Sequence, residues 1–255
     1  MDVLVCIKRV PDVAGSVALT DDAMAVDARH VGYTVSPHEE CAVELAIQVA
    51  KATDGTATVL TVGDDEATEQ LRDALAVGCG AAVLVEVDPA RYGPADVSTV
   101  IADVVRDHES QGRSYGLVLL GNDAADTGDF QVGIRLAYAL DRPVVAGAAH
   151  VEAAGDKVVA RVEAPEGAAV FEAPVPAVVT VMEGGVEPRY PSIPGRMKAK
   201  RVQIETVTPS REPVGSGRLR LQLPPVPPSQ VEVLGKGVEA APAVVDLLER
   251  LGVVR

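Results

Sequence analysis

A chain of 255 residues, 47% of them hydrophobic, is long enough to bury a core as one large α/β domain or a domain with an appendage, and is too apolar to be disordered throughout. Its formal charge of −14 argues against nucleic-acid binding through a basic surface and against adhesion to an anionic membrane. With aromatics at 3% and no Trp, the core has to be built from Val, Ala and Leu, which suits a parallel sheet covered by Ala-rich helices.

In chain order, the short apolar runs 3–7, 58–62, 83–87 and 117–120 read as buried strands. Between them, 37–50 places Ala42, Leu45, Ala46 and Val49 on one helical face with Pro37 in the first turn. A second helix, 66–77, stops at Gly78. Helices at 94–106 and 129–140 complete a β-α-β-α alternation, which predicts a doubly wound, mostly parallel sheet. From Pro143 the rhythm changes to closely spaced strands, 144–151, 157–162, 168–172 and 177–181, with Gly155 and Gly167 at turns; these form a β-rich second part of the same domain, drawn as 1–207. Over 208–255 the prolines Pro209, Pro213, Pro224, Pro225, Pro227 and Pro228 forbid a continuous helix or central strand, so an extended arm is expected. It ends in a helix over 242–251 with Val244, Val245, Leu247, Leu248 and Leu251 on one apolar face, which either folds back or reaches a second subunit.

The apolar runs fall far short of the ~20 residues a membrane span needs, so no membrane insertion is expected. Cys6, Cys41 and Cys79 are an odd number without CxxC spacing, and no cationic-then-apolar leader opens the chain, which fits the cytoplasm. His30, His38, His108 and His150 lack metal-ligand spacing, and HExxH, GxSxG and GxxxxGK[ST] are missing, so neither a metal nor a classical catalytic site is expected. Gly78-Cys79-Gly80 leads from a helix into a strand, the reverse of a pyrophosphate turn, and reads as a helix stop.

In an open parallel sheet, ligands bind beyond the carboxyl ends of the strands, where helix N-termini offer unpaired N–H groups. Three segments meet that description: Cys6 to Arg9, Val62 with Gly63, and the loop from Gly121 to Gly128, rich in small residues and leading into a helix. That loop permits close backbone approach to a phosphate, although Gly, Asn and Asp are also ordinary turn and cap residues.

The segments VLVCIKRVPD (3–12), ECAVELA (40–46), ALAVGCGAAV (74–83), LVLLGNDAADTGDFQVG (117–133), PAVVTV (176–181) and VEPRYPSIPGRMKAK (186–200) together resemble the beta subunit of electron transfer flavoproteins, over residues 1–207. The resemblance implies a Rossmann-like domain that pairs with an alpha subunit holding most of the redox FAD, accepts electrons from flavoprotein dehydrogenases and passes them to a respiratory-chain acceptor. It also implies a structural AMP in the cleft; in the electron-bifurcating branch a second FAD takes that place. Carried over by position, the nucleotide contacts are Cys6, Ser36, Pro37, His38, Glu39, Val62, Gly121, Asn122, Asp123, Ala124, Asp126, Thr127, Gly128, Asp129, Phe130, Gln131, Val132 and Gly133, with Gln131 and Gly133 matching best. Ser36 and His38 depart from the family's usual Asn and aromatic. Asp129 and Phe130 stand where the bifurcating branch has a small residue and Thr, which favours AMP over a second FAD.

Residues 186–201 hold Arg189, Arg196, Lys198, Lys200 and Arg201 against Glu187, a net +4 inside an acidic chain. The resemblance makes this loop the one that recognises dehydrogenases, with Ile193 as the aliphatic anchor and Arg189, Tyr190, Pro194, Met197, Lys198 and Lys200 around it. A competing reading is a stand-alone nucleotide-binding domain of the universal-stress type, which ordinarily carries a longer Gly-rich phosphate loop than this chain has. A nucleotide-adenylating or nucleotide-hydrolysing enzyme is a third, and the missing phosphate-loop motif weighs against it.

Overall fold

The computed structural model describes residues 1–12, 17–225 and 231–254, and its contacts divide the chain into the units Met1–Leu221 and Gln222–Arg255. In the first unit, β1 (Val3–Ile7) is buried at every position, as a strand with parallel neighbours on both sides must be. A hairpin of β2 (Val10–Asp12) and β3 (Gly32–Thr34) precedes α1 (Pro37–Ala52). These three-residue strands are too short to show alternation in the sequence. The alternation then runs β4 (Ala57–Gly63), α2 (Thr68–Val77), β5 (Ala81–Glu86), α3 (Pro94–Ser110), β6 (Leu117–Gly121), α4 (Val132–Leu140). An antiparallel meander follows, β7 (Val144–Ala154), β8 (Lys157–Ala164) and β9 (Gly167–Pro174), and the chain returns as β10 (Ala177–Val181). A short helix, α5 (Ile193–Ala199), leads to β11 (Ile204–Val207).

Among the described residues, the nine strands outside the hairpin form one sheet in the order β11-β5-β4-β1-β6-β10-β7-β8-β9, parallel from β11 to β7. The doubly wound, mostly parallel α/β sheet expected from the sequence is present, and its β-rich second part is an extension of the same sheet. Alternate β1 side chains serve two cores. Val3, Val5 and Ile7 pack with Leu45, Val49 and Leu71, under α1 and α2, whereas Leu4 and Cys6 pack with Ile101, Val105 and Leu136, under α3 and α4. Each fully buried aliphatic side chain contributes about 2 kcal/mol.

Two expectations need correcting. α4 starts at Val132, not at 129, because Gly128 (φ 62°) and Phe130 (φ 47°) are left-handed and cannot join a right-handed helix. The segment 186–201 is not all loop: Ser192 caps α5 by accepting from the Gly195 N–H at 3.1 Å, and Pro194 sits in its first turn.

Residues 208–221 stay with the first unit. The Asp96 carboxylate accepts from the N–H groups of Gly93, Val214 and Gly215, and Arg91 pairs with Glu212 at 2.7 Å. Among the described residues, no helix or strand occurs between β11 and the second unit's 3-10 turn at Gly237–Ala240, as the prolines require. That unit ends in α6 (Ala241–Arg250), none of whose residues is buried. No described helix is long and apolar enough to cross a membrane.

Candidate functional site

From β1 the chain winds outward through β4 and β5, then crosses to β6 on the other side of β1. Strand order therefore reverses between β1 and β6, and their carboxyl ends are the place where doubly wound sheets form a crevice for ligands. Three elements meet there. Gly121, closing β6, lies so near the start of α1 that a Cβ on it would be 2.7 Å from the Glu39 Cγ and 3.2 Å from the His38 Cβ, so only Gly fits. The Lys8 ammonium, just beyond β1, reaches the loop at Asp126 (2.7 Å) and Thr127 (3.4 Å). Asn122 is fixed by β10: its N–H donates to the Val181 carbonyl, and its Oδ1 accepts from the Thr180 hydroxyl at 2.6 Å.

Donors for an anion are in place. Pro37 has no N–H, and those of Glu39 and Glu40 both reach the Ser36 carbonyl, which leaves the His38 N–H without an acceptor among the described residues. At α4 the first-turn N–H groups of Val132, Gly133 and Ile134 have no partner within the helix. Two helix N-termini thus add their positive ends to Lys8, and the cleft fits a phosphate. Asp123 supplies the complementary feature, a buried Oδ1 with no partner, ready to accept from a hydroxyl. A concavity between α3 and α4 shares only Ile134 with these residues, and another, walled by Asp64, Asp65, Glu86 and Asp88, repels anions.

The basic segment leaves β10 at the rim of this cleft. The Glu183 N–H donates to His38 Nδ1 (3.0 Å), Cys41 Sγ meets the Val186 carbonyl (3.4 Å), and Arg189 makes a two-point pair with Glu44 (2.6 and 2.7 Å). Further along, Arg72 donates to the carbonyls of Ala199 and Val202, and Arg196 lies 3.3 Å from Asp73. Tyr190 and Ile193 stand 91% and 81% exposed, with Met197, Pro194, Lys198 and Lys200 exposed beside them.

The family model for the electron transfer flavoprotein domain matches residues 24–212. Proteins named electron transfer flavoprotein subunit beta are similar over most of both chains. That of Bacillus subtilis (strain 168) is 34% identical over 210 residues, 80% of this chain and 78% of the relative. That of Homo sapiens is 35% identical over 211 residues, 81% of each. That of Syntrophomonas wolfei is 33% identical over 234 residues, 91% and 90%. The chain belongs to the electron transfer flavoprotein beta-subunit family.

Not every position carried over from this beta-subunit family reaches the crevice with its side chain. Cys6 Sγ is buried in the core under α3 and α4, and burial, with Glu39 nearby, pushes its thiol far up. Val62, on β4, is one strand removed from the crevice and packs into the same core. The Gln131 side-chain Oε1 accepts from the Arg135 guanidinium (2.9 and 3.0 Å), and Gly133 is a packing residue, since a Cβ there would collide with Thr180 Cγ2. Phe130 holds its ring 58% exposed from a left-handed backbone, a strained placement of the kind that clusters at functional sites. Thr180 and Glu183 came from outside the carried-over set. The only sequence signal for either is a hydroxyl inside the otherwise apolar AVVTV.

Glu39 is buried and accepts from the Ser36 N–H (3.1 Å) and hydroxyl (2.9 Å). Burial pushes its carboxyl up to about 8 against those donors and the Lys8 charge. A neutral acid here spares an incoming phosphate a like charge. Because the folded pKa lies above the unfolded value of 4.5, stability falls as pH rises from 4.5 and levels off above about 8. Glu39→Gln should therefore flatten the pH profile of urea unfolding and gain on the order of 4 kcal/mol at pH 8. A wild-type profile that is flat from pH 5 to 8 would show the carboxyl ionised in place.

Proposed function

We propose that this chain is the beta subunit of a heterodimeric electron transfer flavoprotein, an electron carrier of the cytoplasm without a catalytic site of its own. It takes electrons from flavoprotein dehydrogenases and passes them to a respiratory-chain acceptor through FAD held mainly by an alpha subunit. The observation that carries the reading is the pairing, on one helix, of a phosphate-ready crevice at the N-terminus of α1 with a basic, apolar-tipped segment along its side. AMP occupies the crevice, with His38, Lys8 and the start of α4 around the phosphate. FAD, when bound, supplies the one- and two-electron chemistry. A second FAD in the crevice is disfavoured by the exposed Phe130 ring at the N-terminus of α4, the approach its pyrophosphate needs. The unburied apolar face of α6, with the prolines ahead of it, suits an arm that contacts the alpha subunit. A universal-stress-type domain would have no use for either the tipped segment or that arm.

The anchor is testable in the assembled heterodimer. Ile193→Ala should slow reduction by a flavoprotein dehydrogenase several-fold, with flavin content unchanged, since losing an exposed anchor costs about 1–3 kcal/mol of docking. Reversing the charge at Lys198 or Lys200 should lower the association rate most at low salt. Normal turnover by Ile193→Ala would mean that this segment does not recognise the donor.

A further inference from the structure

Three contacts join α1 to the segment that follows β10, in step: His38 with Glu183, Cys41 with Val186, Glu44 with Arg189, each three residues further along both strands of chain. The last is the strongest. Glu44 is buried, both its oxygens face the Arg189 fork, and Gln48 Nε2 donates to Oε1 at 2.7 Å, so the carboxylate is fully satisfied only while Arg189 is there. Arg189 directly precedes the exposed Tyr190 and stands four residues before Ile193. The helix itself is held independently, by Arg72 on the carbonyls of Ala199 and Val202 at its far end and by Gly195 in its first turn, which abuts the Ala76 carbonyl too closely for any side chain. Among the described residues, the stretch 187–191 that leads into the helix has no other hydrogen bond or ion pair to the rest of the chain than this one.

We propose that Arg189 serves docking as a positioning residue: its pair with the buried Glu44 presets the orientation of Tyr190 and Ile193, and its charge is not what the electron donor reads. The inference rests on the docking reading above. It differs from the resemblance, which counts Arg189 among the partner contacts. A guanidinium spent on two carboxylate bonds has little field left to offer, whereas Lys198, Lys200 and Arg201 have no acidic partner among the described residues and carry the steering. If the clamp is lost, the segment has to be ordered at each encounter, which weakens association without altering the electron-transfer step.

The two partners separate positioning from direct contact, because Glu44→Gln breaks the clamp yet leaves the Arg189 charge free, while Arg189→Gln removes both. Heterodimers carrying either change would be assayed as electron acceptors of a purified flavoprotein dehydrogenase that reduces the wild type, with dithionite reduction confirming intact flavin. Each should raise KM about fivefold to tenfold with kcat nearly unchanged, and the rise should vanish in an Ile193→Ala background, where there is no anchor left to position. Trypsin should cut after position 189 about tenfold faster in Glu44→Gln and in Arg189→Lys than in the wild type. Should Arg189→Gln fail to assemble, Arg189→Lys keeps the charge without the fork and should raise KM alike. A KM raised by Arg189→Gln but not by Glu44→Gln, or unchanged in both while Ile193→Ala is impaired, overturns the proposal. If Ile193→Ala is itself normal, it is the docking reading that fails, and unaltered trypsin cleavage in the clamp variants would remove the clamp independently.

Discussion

Purified without its partner, the chain should be colourless, and co-expressed with an alpha subunit it should yield a yellow complex holding about one redox FAD per heterodimer. The expectation follows from what the crevice offers. Isoalloxazine sites enclose most of the ring between apolar walls. Here the elements around the β1–β6 switch point present helix N-termini, Lys8, a bonded Asn122 and three acids, which is phosphate and hydroxyl chemistry. Large apolar side chains are instead left bare elsewhere, at Val244 and Val245 on α6 and at Leu251 just beyond it, where a second polypeptide and not a cofactor would cover them. The measurement is an absorbance spectrum from 300 to 550 nm of the chain alone and of the co-purified pair. A flavin spectrum from the chain alone would move the redox site into this subunit.

How far such a site can be read from sequence depends on how local its causes are. The central strands were legible because a strand buried on both faces has to be apolar throughout, and β1 and β6 are so almost to the last residue. The start of α1 was legible because Pro37 marks a first turn through its own fixed backbone, a cause that acts within one residue. The start of α4 was not, since helical periodicity extends back through Phe130 and nothing in its side chain announces a left-handed backbone. Nor was α5, although Ser192 and Pro194 were the available signals, because the prolines around it read as loop. What joins distant segments stayed out of reach. No pattern says that β10 inserts between β6 and β7, and so no pattern says that Thr180 braces Asn122 or that Glu44 meets Arg189, 145 residues away. The resemblance supplied positions for the cleft, and the structure sorts them by what each side chain is already bonded to.

Acid denaturation of the heterodimer should release AMP together with one FAD, and AMP added to nucleotide-stripped protein should raise its melting temperature. At a hundredfold excess over its dissociation constant the nucleotide stabilises the fold by about 2.7 kcal/mol. The electrostatic objection to a phosphate among Asp123, Asp126 and Asp129 is real, because one carboxylate 4 Å from it costs roughly 4 kcal/mol at an effective dielectric near 20. The structure lowers that cost in two ways. Lys8 already neutralises Asp126 at 2.7 Å, and the carboxyl of Glu39 at the base of the cleft, pushed up to about 8, is mostly neutral at pH 7. A phosphate must nonetheless share Lys8 with Asp126, so Asp126→Asn frees the ammonium. The Lys8–Asp126 pair is partly exposed and worth at most about 1 kcal/mol, so the gain in attraction outweighs the loss of loop anchoring. Asp126→Asn should tighten AMP several-fold in calorimetric titration and Lys8→Met should weaken it. Two FAD per heterodimer and no AMP, with Asp126→Asn indifferent to added AMP, would instead put a second flavin in the crevice and make Phe130 part of its wall.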